Sequence, residues 1–405
     1  MNNLICPGCG SLCDDIRVEI EEGRLISVEN ACAKGAALLC ALEDASRRAK
    51  FVVDGKEVSL DRAIQIAKRL LREAKRPLIF GLDNSVQETQ TKAIHLARKL
   101  KGIIDDASSF SYGGLTLGLL EGLYQNCPLR DIKDRADLLI YWGSNPLHSH
   151  PRHLSKFSYY AYSEYDEAGW IPKVKLACID VRDSELTPMC NYFFRLASGG
   201  DKQFIKEILT IVQGGGGGED AKAFYELVKN SRTCVLFCGL GLVYALDAEF
   251  HLFNEMIRRL SQCSEIRVMP MIEELNMLGF NQTLYQETGY INQVSFQDSI
   301  VHGSQFSVLR QIYERLPDCV LIINCDLVST LPLALSGNPK QMKVISLGSL
   351  CTRTTELADV VIGTAFPGWE SGGSVIRMDG QRVDLTPVKP SHYPSEQEIL
   401  ERLLE

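Results

Sequence analysis

The sequence predicts an α/β protein that opens with a small cysteine-rich β segment, and three observations carry the prediction. Four of its 14 cysteines fall early, as Cys6-x2-Cys9-x3-Cys13 with Cys32 further on. From Val58 onward, short apolar runs alternate with amphipathic stretches, the pattern of mostly parallel sheets flanked by helices. Several of those runs end in glycine-rich or acidic turns, where parallel sheets place their ligands.

The N-terminal thiols are the most specific signal. Pro7, Gly8 and Gly10 let the 6–13 loop curl. Residues 16–21, Glu22-Gly23 and 24–28 then read as a β-hairpin. The hairpin returns the chain towards its start, where Cys32 can supply a fourth thiolate. Four thiolates suit either a [4Fe-4S] cubane or a structural zinc. Zinc ribbons more often present two matched CxxC knuckles, so the spacing favours the cluster over zinc or an empty nest. Cys178, Cys234, Cys238, Cys319 and Cys325 sit in or beside apolar runs, and Cys40, Cys127, Cys190, Cys263 and Cys351 lack ligand spacing. All ten read as small packing hydrophobes.

The α/β elements follow in order. Residues 60–74 form an amphipathic helix with Leu60, Ala63, Ile64, Ala67, Leu70 and Leu71 on one face. A strand at 77–81, a helix near 87–100 and strands at 102–105, 138–142 and 174–179 come next. A helix over 201–212 precedes five glycines, 214–218, too flexible for an element interior and so a linker or hinge. The alternation resumes with strands at 233–238, 265–268, 319–324 and 343–347 and a long helix near 247–262. A hairpin over 375–383 turns at Asp379-Gly380, and a helix at 396–404 follows.

Composition narrows the function classes. The 405 residues suffice for two or three domains, and 45% apolar with 23% charged residues excludes disorder. No apolar run reaches the roughly 18 residues of a membrane span. The first six residues lack the basic and apolar regions of a signal peptide. With 51 acidic against 43 basic side chains, a net charge of −8 and no basic block, nucleic acid is excluded as the main partner. Many cysteines without an export signal indicate a reducing, cytoplasmic compartment rather than a disulfide framework.

Three strand ends carry turn chemistry that suits a phosphate or a ribose. These are Gly143-Ser144-Asn145-Pro146, Asp180-Val181-Arg182 and Gly239-Leu240-Gly241. Turns of this kind also follow parallel strands with no ligand. His148, His150 and His153 cluster beside the first and read as solvent-facing or phosphate-proximal histidines. No Ser/His/Asp or paired-carboxylate hydrolytic site is apparent.

Taken in order, these features resemble the molybdopterin oxidoreductase superfamily. The cysteine loop and hairpin, Ser144-Asn145-Pro146 with His150-Pro151-Arg152, and Ile179-Asp180-Val181-Arg182 carry the likeness. So do the stretch Glu356-Leu357-Ala358-Asp359-Val360-Val361-Ile362 and Glu370-Ser371-Gly372-Gly373-Ser374 leading to Asp379-Gly380. Cys13-Asp14-Asp15 and Arg377-Met378-Asp379-Gly380 most resemble the B subunit of formylmethanofuran dehydrogenase and the related B subunit of the bacterial formyltransferase/hydrolase complex.

The resemblance implies three domains: an iron–sulfur domain from 1–55 and 366–405, and two interleaved parallel-sheet domains from 56–135 with 214–316 and from 136–213 with 317–365. It implies that the superfamily's C-terminal barrel is absent from this chain and supplied by a separate molybdopterin-dinucleotide-binding subunit. An amidohydrolase-like subunit and a formyltransferase subunit complete the implied complex, which handles a methanofuran-type carrier. The implied cofactors are a [4Fe-4S] cluster on Cys6, Cys9, Cys13 and Cys32 and a tungsto- or molybdopterin guanine dinucleotide. Lys34 would lie between cluster and pterin, and Gly143, Ser144, Asn145, Asp180, Gly239 and Gly241 would line the nucleotide side.

One stretch departs from the family pattern. Formylmethanofuran enzymes carry Asp-Asn-x4-Cys-His-Gly, whereas this chain reads Asp105-Asp106-Ala107-Ser108-Ser109-Phe110-Ser111-Tyr112-Gly113. Ser111 takes the place of the metal-ligating cysteine, and Tyr112 that of the histidine. A serine alkoxide is a harder ligand than a thiolate. A phenol with a pKa of about 10 moves protons poorly near neutral pH. The double change points to a scaffold subunit that has lost tungsten or molybdenum redox chemistry. A working enzyme with Ser111 as ligand and a zinc-stabilised interaction subunit are the alternatives.

Overall fold

A computed structural model describes residues 2–162, 164–166, 169–171 and 174–405, with side chains outside 162–173. The chain divides into two compact units. One comprises Met1–Phe110, Glu274–Arg377 and Arg382–Glu405, and the other Ser111–Glu273 and Met378–Gln381.

In the second unit, five parallel strands form one sheet, in the order Tyr192–Arg195, Lys175–Asp180, Leu138–Trp142, Thr233–Cys238, Glu265–Pro270. Leu138–Trp142 and Thr233–Cys238 are fully buried, as expected of central strands covered on both faces. Phe204, Phe224 and Phe253, from the helices Asp201–Val212, Glu219–Lys229 and Phe250–Leu260, pack edge-on against Trp142. The indole N–H of Trp142 donates to Asp201 at 2.8 Å, so its one polar atom is satisfied in the core.

In the first unit a mixed sheet carries five parallel strands at its centre: Ile103–Asp105, Pro77–Gly81, Cys319–Ile323, Lys343–Gly348 and Val360–Gly363. Short antiparallel strands flank them, Val294–Ser295 and Val301–His302 on one side and Val52–Val53 and Lys56–Glu57 on the other. Ile399, Leu400 and Leu403 of the helix Glu396–Leu404 pack with Ala93, Ile94 and Leu71 in the core of this sheet. Each such buried leucine contributes about 1.5–3 kcal/mol. A capping box between Ser395 and Glu398 starts that helix. The N-terminal strands Asn2–Leu4, Ile16–Glu21 and Arg24–Glu29 form a separate antiparallel sheet.

These pairings redraw the expected domains. Thr233–Cys238, expected with 56–135, pairs instead with Leu138–Trp142. Pro77–Gly81 pairs with Cys319–Ile323, and the strand Val52–Val53 and the 396–404 helix, expected in the cysteine domain, join this large sheet. An apolar run shows that a strand is buried, not which sheet receives it. The glycine run lies between two helices of one unit rather than at a domain crossing. The helix expected near 247–262 forms as Phe250–Leu260, and a separate helix, Leu240–Leu246, ends just before Asp247, which takes a positive φ of 52°. Helices Ala33–Glu43 and Met277–Thr288 were not foreseen. The first has four alanines and a glycine in place of a clear apolar stripe, and the second buries polar Asn281 and Thr283. Cys40, Cys263 and Cys351 are exposed and so are not packing residues, while Cys127, Cys178, Cys234, Cys238 and Cys319 are buried.

Candidate functional site

Local sequence builds the cysteine nest. Leu12 adopts a positive φ of 44°, which turns the chain so that the Cys6 amide donates to the Cys13 carbonyl at 2.9 Å. Cys32 caps the helix Ala33–Glu43, its sulfur accepting from the Gly35 amide at 3.4 Å. The floor of the nest is glycine. A Cβ on Gly35 would come within 2.9 Å of Cys6 Sγ and 3.9 Å of Cys32 Sγ, and one on Gly8 within 3.4 Å of Cys6 Sγ. Cys6, Cys9 and Cys13 are buried and Cys32 half-buried. Burial pushes the Cys9 thiol up; hydrogen bonding from Ser11 and the Lys34 ammonium draw it down, and Cys32 opposes them. Cys9, Cys32 and Lys34 are therefore electrostatic neighbours.

Among the described residues, no group of three or more His, Cys, Asp or Glu side chains is arranged to hold a metal ion. Zinc–thiolate bonds of about 2.3 Å would hold four sulfurs roughly 3.8 Å apart. A cubane, with an iron at each thiolate, spaces them more widely. The donors are of the soft type that a four-iron cluster takes, over a floor without side chains, but they are not drawn together into a ligand set.

Ser111 and Tyr112 occupy a turn. Tyr112 caps the helix Gly113–Leu120, its carbonyl accepting from the Leu115 and Thr116 amides, and its ring is buried. Ser111 is half-buried.

The three turns expected to meet a nucleotide cluster at the ends of adjacent strands in the five-stranded sheet. Their glycine amides are already engaged. Gly143 N–H donates to the Ile179 carbonyl at 2.8 Å, Gly239 N–H to Trp142 at 2.9 Å, and Gly241 N–H to Gly143 at 3.0 Å. Asn145 caps the short helix Pro146–Ser149 and donates to Glu185 at 2.9 Å. Asp180 accepts from the Val181 amide at 2.7 Å, and Ser144 is buried. A phosphate cradle made of glycine amides does not fit these turns.

The histidines correct one expectation. Only His148 is solvent-facing. His150 is buried, with Nε2 2.8 Å from the Ile272 carbonyl. His153 is fully buried between Tyr141 and Phe237, neither ring nitrogen having a hydrogen-bond partner, and burial pulls its pKa down to about 3. The apolar strand residues facing it gave no sign in the sequence that they would cover it.

Sequence reasoning also missed a group of buried carboxyls in the first unit. Asp105 ends the strand Ile103–Asp105, with Asp106 just past it and Asp83 just past the strand Pro77–Gly81, each at most 2% exposed. Asp105 accepts from the Val308 and Gln293 amides at 2.7 and 3.0 Å. Asp106 accepts from Ser108 at 2.6 Å and Asn281 at 3.1 Å. Burial pushes Asp105 up to about 8 and Asp106 up to about 6. Burial, then the neighbouring Asp106 charge, raises Asp83 well above the carboxylate range. An acid directly after a buried apolar run was the available signal.

No family model matches the chain. Two curated relatives match it over nearly their whole length. The B subunit of the tungsten-containing formylmethanofuran dehydrogenase 2 of Methanocaldococcus jannaschii is 28% identical, over 100% of this chain and 98% of the relative. That of Methanococcus maripaludis is 26% identical, over 99% and 97%. Among solved structures, the formyltransferase/hydrolase complex of Methylorubrum extorquens, determined with methylofuran, contains a chain matching with a TM-score of 0.72 at 19% identity, over 87% of this chain and 97% of that one. Acetylene hydratase from Pelobacter acetylenicus matches at 0.63 and 11% identity, over 100% of this chain and 68% of that one. Both structural likenesses speak to the fold alone. No helix among the described residues is long and apolar enough to cross a membrane.

Proposed function

Starting from a chain related over its full length to the B subunit of formylmethanofuran dehydrogenase, we propose that it is the B-type subunit of a formyltransferase/hydrolase complex in methanofuran-linked one-carbon metabolism. Its part is that of a scaffold, with tungsten or molybdenum redox chemistry lost. The single observation that carries this reading is the pair Ser111-Tyr112 where the family pattern has Cys-His. Formyl transfer and hydrolysis then belong to the formyltransferase and amidohydrolase-like partners, and a barrel subunit completes the fold. The nest of Cys6, Cys9, Cys13 and Cys32 would hold a [4Fe-4S] cluster, which supplies electron storage when bound. Lys34, close to Cys9, would offset the charge of the thiolates.

Anaerobic co-purification with the partner subunits, followed by counting metals, tests the reading. Iron without stoichiometric tungsten or molybdenum, together with formate release from a formylated methanofuran-type carrier, is the expected result. Stoichiometric tungsten or molybdenum with viologen-linked formate oxidation would overturn it. The intact cysteine quartet favours a second reading, an active formate-converting enzyme with Ser111 as metal ligand. Unchanged oxidation in a Ser111→Ala complex removes that ligand role. About one zinc and no iron would instead identify a zinc-stabilised interaction subunit.

A further inference from the structure

We infer that Gly143, Gly239 and Gly241 form a backbone lock that fills the ligand crevice of the five-stranded sheet, and that their amides hold no nucleotide phosphate. In an open parallel sheet the crevice lies outside the carboxyl ends of the two strands where the winding reverses. Here the chain winds from Leu138–Trp142 outward to Lys175–Asp180 and Tyr192–Arg195, then returns to the other side with Thr233–Cys238 and Glu265–Pro270. The reversal therefore falls between Leu138–Trp142 and Thr233–Cys238, and the turns leaving those two strands begin at Gly143 and Gly239.

Those turns occupy each other's space. A Cβ on Gly239 would lie 2.2 Å from the Gly143 oxygen, and one on Gly143 2.3 Å from the Leu242 nitrogen. A Cβ on Gly241 would lie 2.8 Å from the Gly143 Cα. All three contacts are with backbone, which cannot swing aside as a side chain can. Gly143 also takes a φ of 58°, in the left-handed region open to glycine. The glycines thus have a complete structural reason to be glycine. Each amide carries one hydrogen, and each donates it to a carbonyl at 2.8–3.0 Å, leaving none aimed at an anion. A guanine nucleotide reaching this unit has the side chains of Asn145, Asp180 and the exposed Arg182 to meet, not a glycine cradle.

The inference rests on sheet geometry and stands or falls separately from the one-carbon reading, since metal counts and formate release do not report on these amides. Full-length protein labelled with [15N]glycine, followed by amide exchange with and without millimolar GDP, tests it. The three amides should exchange on the order of 10^3-fold slower than unstructured ones, with GDP making no difference. GDP binding that leaves their exchange unchanged still supports the lock, because side chains then carry the contact. Fast exchange without GDP, or any change of exchange on adding it, overturns the lock.

Discussion

At the switch point of the five-stranded sheet, Gly143 meets Gly239 and Gly241 backbone to backbone. At that of the larger sheet, between Pro77–Gly81 and Cys319–Ile323, Gly81 comes up against Ile323 in the same way, a Cβ there lying 2.3 Å from the Ile323 oxygen. Beyond this shared device the two differ. The first is closed with neutral backbone, and the nearby His153 is held uncharged by burial. The second is surmounted by carboxyls, Asp83, Asp105 and Asp106, that burial keeps partly protonated. The same topological solution can thus end in a rigid joint or in a set of protonatable groups, and the strand order alone does not say which.

The largest effects should come from filling the shared joint. Gly239→Ala and Gly81→Ala each drive a Cβ into a carbonyl oxygen at 2.2 or 2.3 Å, and Gly81 has a φ of 102° besides. We expect each to lower stability by about 3 kcal/mol in urea denaturation. Gly122→Ala, also at positive φ but with nothing within 4 Å of its Cβ, should cost only about 1 kcal/mol. Because Gly239 has an ordinary φ of -101°, a loss there no larger than at Gly122 would show that closure of the joint does not set the cost.

What was legible in the sequence follows from the range of the interactions. Pro77–Gly81, Thr233–Cys238 and Asp201–Val212 were visible because apolar runs or a 3.6-residue stripe meet turn residues locally. The cysteine loop was visible for the same reason, its ligands lying a few residues apart. The Asp83–Asp106 pair was not, because those residues meet only through the parallel pairing of their strands, Leu78 opposite Ile103. The glycine turns were visible as turns, but sequence could not show that each is the other's occupant.

The protonatable groups make the two units respond to pH in opposite senses. Asp105, at about 8 when folded against about 3.9 unfolded, binds more proton in the native state over that interval. Its contribution is complete below the unfolded value and is lost as pH rises towards 8, by at most about 1.4 kcal/mol per pH unit. His153, at about 3 folded against about 6.5 unfolded, works the other way. Its unfolded form takes up the proton first, so stability is lost as pH falls from 6.5 towards 3. Amide exchange should find the carboxyl-bearing unit loosening at pH 8 and the five-stranded unit at pH 4. Asp83→Asn removes the raised Asp83 carboxyl but leaves Asp105, so it should flatten only part of the alkaline loss; His153→Phe should flatten the acid loss. A wild-type profile with both units weakening at the same end would rule out this division.

The smallest expected effect is at Asn324, just past the strand Cys319–Ile323, and it separates two contributions within the larger sheet's joint. Asn324 takes a positive φ of 49° and donates from Nδ2 to the Asn84 carbonyl at 2.7 Å, tying together the two turns of that switch point. Asn324→Gly removes the hydrogen bond while easing the left-handed backbone, for a net loss of about 1 kcal/mol or less. Asn324→Ala removes the bond and adds left-handed strain, costing about 1 kcal/mol more than glycine. If alanine and glycine are instead equally tolerated in urea denaturation, the side-chain bond alone holds this turn. The larger joint would then depend on polar side chains where the five-stranded one depends on backbone.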